Sequence, residues 1–178
     1  MSFLRRIFYG EPRGRALTTD RRVELRGLTP HDQPQHIDHL LRLSDSDRFS
    51  RFHHRMDDDR VRAYSNGLDW HNVLMFGVFV DGTLRGVAEL LFSGNRDNAE
   101  IAISVERDWQ HEGFGKLLVL SATLAARRIG IADLHMSFLQ NNHGMRGLAR
   151  DLGAEFEAAD GVILTHRHLD ALTNQPQA

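Results

Sequence analysis

The spacing of apolar residues along this chain switches between a period of two and a period near 3.6, and each switch marks an element. In "VELRG", Val23 and Leu25, with Gly27, alternate with charged residues before a Thr-Pro turn and predict a first strand. Ile37, Leu40, Leu41 and Leu43 then fall at helical spacing, with Asp32 placed to cap that helix. Phe49 and Phe52, three apart in "SDSDRFSRFHHRM", read as one buried helical face. The aspartates at 57 to 59 suit the first turn of a third helix, which ends near Gly67.

From Asn72 the period changes. "VLMFGVFV", the Asp81-Gly82 turn and "LRGVAELLFS" predict a β-hairpin. "AEIAISV" alternates cleanly, with Ile101, Ile103 and Val105 on one face and Glu100, Ala102 and Ser104 on the other. Past a glycine-containing stretch, Leu117, Leu118, Leu120, Ala122, Leu124, Ala125 and Ile129 make a broad apolar helix that Gly130 stops. "DLHMSFL" predicts a strand, "NNHGMRGLARDLG" a helix with an asparagine cap, and "AEFEAADGVILTHRHL" a closing hairpin. Helices, then antiparallel strands, then a strand–helix–strand passage predict α+β, or α/β with a mixed sheet.

At 178 residues the chain has room for one core, assigned here to residues 21–170. Residues 171–178 read as a loose tail. Residues 1–20 read as an arm whose Phe3, Leu4, Ile7 and Phe8 share a helical face. Such an arm docks on its own core or on a second subunit, which would make a homodimer. The longest apolar stretch is too short to span a bilayer, and no signal peptide is expected. A formal net charge of -2 supplies no basic field for nucleic acid, and the absence of cysteine leans cytoplasmic. Lys116 is the only lysine among 22 basic residues, so the protein has almost no side-chain amine of its own to acylate.

Two glycines in the first turn of a helix ask for a reason, since glycine is a poor helix former. In "WQHEGFGKLLVL", Gln110-x-x-Gly113-x-Gly115 follows a predicted strand and opens a predicted helix. A tight turn is one reading. The other is a phosphate or pyrophosphate pressed against first-turn amides that have no intrahelical partner. The spacing is neither the dinucleotide-binding G-x-G-x-x-G nor a P-loop, because Leu117 follows Lys116.

"AEIAISVERDWQHEGFGKLLVLSATLAARRIGI" and "QNNHGMRGLARDLGAEF" resemble the two cofactor segments of the GNAT superfamily of acetyl-CoA-dependent N-acetyltransferases. The resemblance implies a mostly antiparallel central sheet flanked by helices, with acetyl-CoA as co-substrate. It implies that Gln110, His111, Glu112, Gly113, Phe114, Gly115 and Lys116 cradle the coenzyme A pyrophosphate. Asn142 would contact the pantetheine arm, which would lie along Ile103, Ser104 and Val105 like an added strand. The N-terminal "LRLSDSDRFSRFHH" with "AEIAISV" is similar to bacterial Pat-type protein lysine acetyltransferases. The acceptor implied is a primary amine, on a protein lysine or a small molecule.

That family commonly uses a glutamate base, often through water. Glu100 matches the glutamate of the Pat-type "AE.A" segment; its plainer reading is a strand residue paired with an arginine. Glu89, on the neighbouring strand, is the second candidate. The tyrosine that the family often places seven residues after the asparagine is replaced by Ala149, so a general acid is missing. A non-catalytic acyl-CoA-binding regulatory module is therefore the alternative to an enzyme, and an interaction protein that binds no acyl-CoA is a third reading. Eleven histidines include the pairs His36/His39, His53/His54 and His166/His168. With no carboxylate or cysteine completing a set, they read as exposed side chains rather than metal ligands. His53 or His54 could touch substrate. "RFSRFHHR" mixes basic and aromatic residues, but neighbouring aspartates cancel its charge, which argues against nucleic acid.

Overall fold

The computed structural model describes residues 21–93 and 97–169, so the expected arm at 1–20 and tail at 171–178 lie outside the described residues. Seven strands form one sheet: β1 (Val23–Gly27), β2 (Val73–Val80), β3 (Thr83–Ser93), β4 (Asn98–Val105), β5 (Asp133–Leu139), β6 (Glu155–Ala159) and β7 (Val162–His168). Their order is β1-β2-β3-β4-β5-β7-β6. Every neighbouring pair is antiparallel except β4 and β5. Among the described residues five α-helices flank the sheet: α1 (Gln33–Arg42), α2 (Asp45–Phe52), α3 (Asp58–Asn66), α4 (Phe114–Arg128) and α5 (His143–Asp151). This is the mixed sheet that the changing period predicts.

The alternation along β3 divides the interior in two. Ala88 and Leu90 join Val78, Ile101, Phe138 and the α4 residues Leu118, Ala122 and Ala126 in the main apolar cluster. Val87 points the other way, with Val73, Met75, Phe79 and Leu84. On that second face lie α1, α2 and α3, held partly by Leu40, Leu43 and Val61. The inward stripe of α4 is narrower than the sequence suggests: Leu124 and Ile129 are exposed. The helix is stopped as expected, with Gly130 at φ +85°.

Two further expectations change on the α1–α3 face. Asp32 precedes α1 but makes no cap bond to it. Its carboxylate instead takes both arms of Arg26, at 2.9 and 2.6 Å, and the amide of Thr29. The Arg26 bond, opposed by some burial and aided by Thr29, holds that carboxyl well below the usual range. Phe49 is exposed, and the buried position on α2 belongs to Arg48. Arg48 donates to the carbonyls of Leu40, Leu41 and Met56 and pairs with Asp58 at 2.7 Å. A charged side chain with that many acceptors can occupy a position the spacing alone would give to phenylalanine.

Candidate active site

The parallel ladder between β4 and β5 is short. It pairs Asn98 with Asp133, Ala99 with Leu134 and Glu100 with His135, and there it stops. Beyond Glu100 the two strands part while β4 keeps its partner β3 as far as Val105. A cleft of about 620 Å³ fills the gap. Its floor is the β4 segment from Glu100 to Val105, its far wall Ser137 and Phe138 of β5, and its sides α2 and the first turns of α4 and α5.

At one end is the glycine stretch. Gly113 sits at φ +83°, a conformation that favours glycine, and no side chain caps the first amides of α4. A Cβ at Gly115 would meet only Leu148, at an ordinary 3.4 Å. Gln110 fixes this loop to the strand by donating to the Val105 carbonyl at 3.0 Å. His111, Gly113, Gly115 and Lys116 face the cleft with Gln110. Glu112 is exposed and Phe114 is half-buried, stacked on Trp109 with ring centroids 6.2 Å apart; neither lines the cleft. Asn142 caps α5 through its Oδ1, accepting from the Met145 amide at 3.0 Å, which leaves its Nδ2 to donate. It also lines the cleft, as do Ile103, Ser104 and Val105.

The two glutamates have different settings. Glu100 is half-buried in the cleft floor, and Ser137 donates to its Oε1 at 2.7 Å. Among the described residues no arginine pairs with it. Glu89 is wholly buried and does not line the cleft. Arg51 pairs with its Oε1 at 2.9 Å, Tyr64 donates to its Oε2, and His36 Nε2 stands 3.4 Å from Oε1. Burial alone would raise the Glu89 carboxyl, but the Arg51 charge and the bonds from His36 and Tyr64 outweigh it and pull the pKa to about 2. A carboxylate so committed is a poor proton acceptor.

His36 and His39, expected to be exposed, are fully buried. His36 Nδ1 meets Ser65 Oγ at 2.9 Å. His39 Nε2 meets Ser104 Oγ at 2.8 Å, and its Nδ1 stands 3.2 Å from Glu106 Oε1. Arg42 and Arg85 also bind Glu106, at 2.7 and 2.8 Å. These bonds, from His39 first, outweigh burial and keep Glu106 below its ordinary pKa. Burial lowers the pKa of His39, opposed in part by Glu106 and aided by the nearby His36 and Arg42. The folded chain therefore resists protonation that the unfolded chain accepts near pH 6.5, so neutral His39 contributes its full stability above about pH 6.5 and loses it as pH falls below that. The urea midpoint should drop more steeply from about pH 7 to 5 in the wild type than in His39→Gln. Parallel curves would remove His39 as the cause.

The other histidines lie elsewhere. Asp133 Oδ1 takes His166 Nε2 at 2.7 Å and His168 Nδ1 at 3.1 Å, a carboxylate the sequence does not reveal for that pair. No group of three His, Cys, Asp or Glu side chains among the described residues is placed to hold a metal. His53 and His54 stay off the cleft wall, where α2 contributes Ser46, Asp47, Ser50 and Arg51 instead. Ala149 is fully buried and supplies no hydroxyl. Among the described residues no helix is long and apolar enough to cross a membrane.

Residues 37–154 match the sequence model of the Acetyltransferase (GNAT) family. The GNAT domain of S. lividans PAT superposes with a TM-score of 0.70 at 21% identity, covering 83% of this chain and 90% of that one. The PaiA N-acetyltransferase of Thermoplasma acidophilum, solved in complex with coenzyme A, gives 0.64 at 18% identity over 83% and 99%. The ribosomal-protein-S18-alanine N-acetyltransferase of Escherichia coli gives 0.64 at 18% over 88% and 100%.

Proposed function

This chain belongs to the acetyltransferase (GNAT) family, and from that premise we propose that it moves an acetyl group from acetyl-CoA to a primary amine in the β4–β5 cleft, with Glu100 as the base. The observation that carries the reading is where the ladder stops. Separation of the strands past Glu100 frees one edge of β4 along the stretch that leads to the uncapped first turn of α4. A pyrophosphate fits that turn, because its amides have no partner and the glycines keep Cβ atoms out of the way. The pantetheine arm fits the edge of β4, with Asn142 Nδ2 as a donor from the opposite side. The co-substrate would thereby present its thioester between α2 and Glu100.

The chain's own chemistry at that point is proton transfer and orientation. A protein lysine or small amine arrives as an ammonium and must lose a proton before it can attack. Among the described residues Glu100 is the one glutamate in the cleft wall, and Ser137 holds its carboxylate in place. Release of free thiol from acetyl-CoA on addition of peptides, polyamines, amino acids or aminoglycosides tests the reading, and at least one class should give amine-dependent release. Ala149 favours a second reading, a cofactor-binding regulatory module, for which acetyl-CoA would bind tightly with no thiol released by any amine.

Gly115→Val should weaken acetyl-CoA binding about tenfold or more, since a branched side chain there projects into the cleft. The fold should persist, because the new Cβ meets one flexible leucine at ordinary distance. Titration calorimetry beside circular dichroism reads both. Unchanged affinity in a folded variant would reduce Gly115 to a turn residue.

A further inference from the structure

Acetyl transfer to an amine moves two protons, and Glu100 accounts for one. It takes the first from the arriving ammonium, through water, and yields it to solvent. Once the nitrogen has attacked, it still carries a proton to lose, and the departing CoA sulfur has one to gain. Ala149 offers no phenol for that exchange. We propose that Ser104, backed by His39 and Glu106, carries this second proton from the acceptor nitrogen to the leaving sulfur; the inference rests on acetyl transfer taking place in this cleft.

Ser104 lies on the same face of β4 as Glu100, about 13 Å along the strand by residue spacing. Between them is Ala102, whose small side chain leaves the intervening cleft floor open. An acceptor nitrogen entering over Ala102 thus has a carboxylate on one side and a hydroxyl on the other. The hydrogen-bond roles behind the hydroxyl follow from its partners. Glu106, held by Arg42 and Arg85, can only accept, so it takes the Nδ1 proton of His39. That leaves Nε2 bare, facing Ser104 Oγ at 2.8 Å. This is the arrangement in which a histidine can take a proton from a hydroxyl and return it. Burial keeps His39 neutral, as a proton acceptor must be.

Ser65, His36 and Glu89 form a second such chain on the same face, one helical turn back along α1 and with its carboxylate on the neighbouring strand β3, but Ser65 is wholly buried and Glu89 is committed to Arg51. Of the two chains, only the one ending in Ser104 reaches the cleft. In the step proposed, the nitrogen–carbon bond forms as the proton on nitrogen moves to Ser104 Oγ and the hydroxyl's own proton moves to His39 Nε2. The carbon–sulfur bond then breaks as His39 returns a proton through Ser104 to sulfur. The relay ends as it began, and the Glu106 carboxylate offsets the imidazolium in between. Ser104 meets the reacting atoms; His39 and Glu106 are positioning residues.

Ser104→Ala, His39→Gln and the double variant should each lose about 10²-fold in kcat with an active acceptor, while acetyl-CoA affinity by calorimetry stays within about twofold. The double variant should be no worse than either single one, because a relay fails as a unit. Histidine-selective 15N NMR of the unliganded wild type at neutral pH should show His39 protonated at Nδ1 and bare at Nε2; this readout needs no variant to fold and no turnover. An Nε2–H tautomer or an imidazolium there overturns the relay, as does wild-type turnover in Ser104→Ala. A wild type that binds acetyl-CoA but releases no thiol with any amine overturns the relay and the acetyltransferase reading together, which separates the two failures.

Discussion

Glu89→Gln destabilises the fold by about 3–5 kcal/mol, because it strips the partner from a buried arginine. Arg51 is all but enclosed, and Glu89 is its ion-pair partner at 2.9 Å. Glutamine keeps the shape and one acceptor oxygen but leaves the guanidinium charge uncompensated. The loss should appear as a fall in urea midpoint with the slope unchanged. Removing both charges, as in Glu89→Gln with Arg51→Met, should recover part of it, since a pair replaced together costs less than a pair broken. The carboxyl pKa near 2 adds a pH signature. The unfolded glutamate protonates near pH 4.5 and the folded one only near 2, so this contribution is complete above about pH 4.5 and lost as pH falls toward 2. A Glu89→Gln protein as stable as wild type but without turnover would return Glu89 to the position of base.

Glu100→Gln is expected to do the opposite. The side chain is half-exposed in the cleft with one hydroxyl donor, so the fold should tolerate the amide. Turnover should fall by about 10² to 10⁴-fold, the usual worth of a general base, with acetyl-CoA affinity near wild type. The acidic limb of the kcat/KM profile should flatten, because that limb reports a base that must be unprotonated in the free enzyme. Ser137→Ala should give a smaller fall in the same direction, since it frees the carboxylate to turn. Wild-type rates and an unchanged profile in Glu100→Gln would assign the proton to another group.

The strands and helices were legible because they bury apolar residues with a regular period. β5 and the closing hairpin fall where "DLHMSFL" and "AEFEAADGVILTHRHL" place them, and Asn142 caps α5 as its position suggests. The glycine stretch does stand at a strand-to-helix turn with uncapped amides, as its place in the sequence suggests. What the period hid was polar. Residues 36, 39 and 40 form one inward stripe of α1, continued by Leu43 just past its end, yet a count of apolar residues passes over the two histidines in it. Their partners, Glu89 and Glu106, lie 53 and 67 residues further on, so no local pattern announces the pairing. The same blindness gave Phe49 the place that Arg48 fills, and made Glu89 and Glu100 look alike on neighbouring strands. Position within the strand did not separate them; what packs over each one did.

The central claim, that the parting of β4 from β5 is the acetyl-CoA site, is tested most directly by amide hydrogen exchange with and without saturating acetyl-CoA. Amides of residues 101–105 and of the first turn of α4, from 113 to 116, should gain protection, while β1, β6 and the outer face of α4 around Leu124 stay unchanged. Protection confined to other segments, or none at a concentration that calorimetry shows to be saturating, would contradict the account.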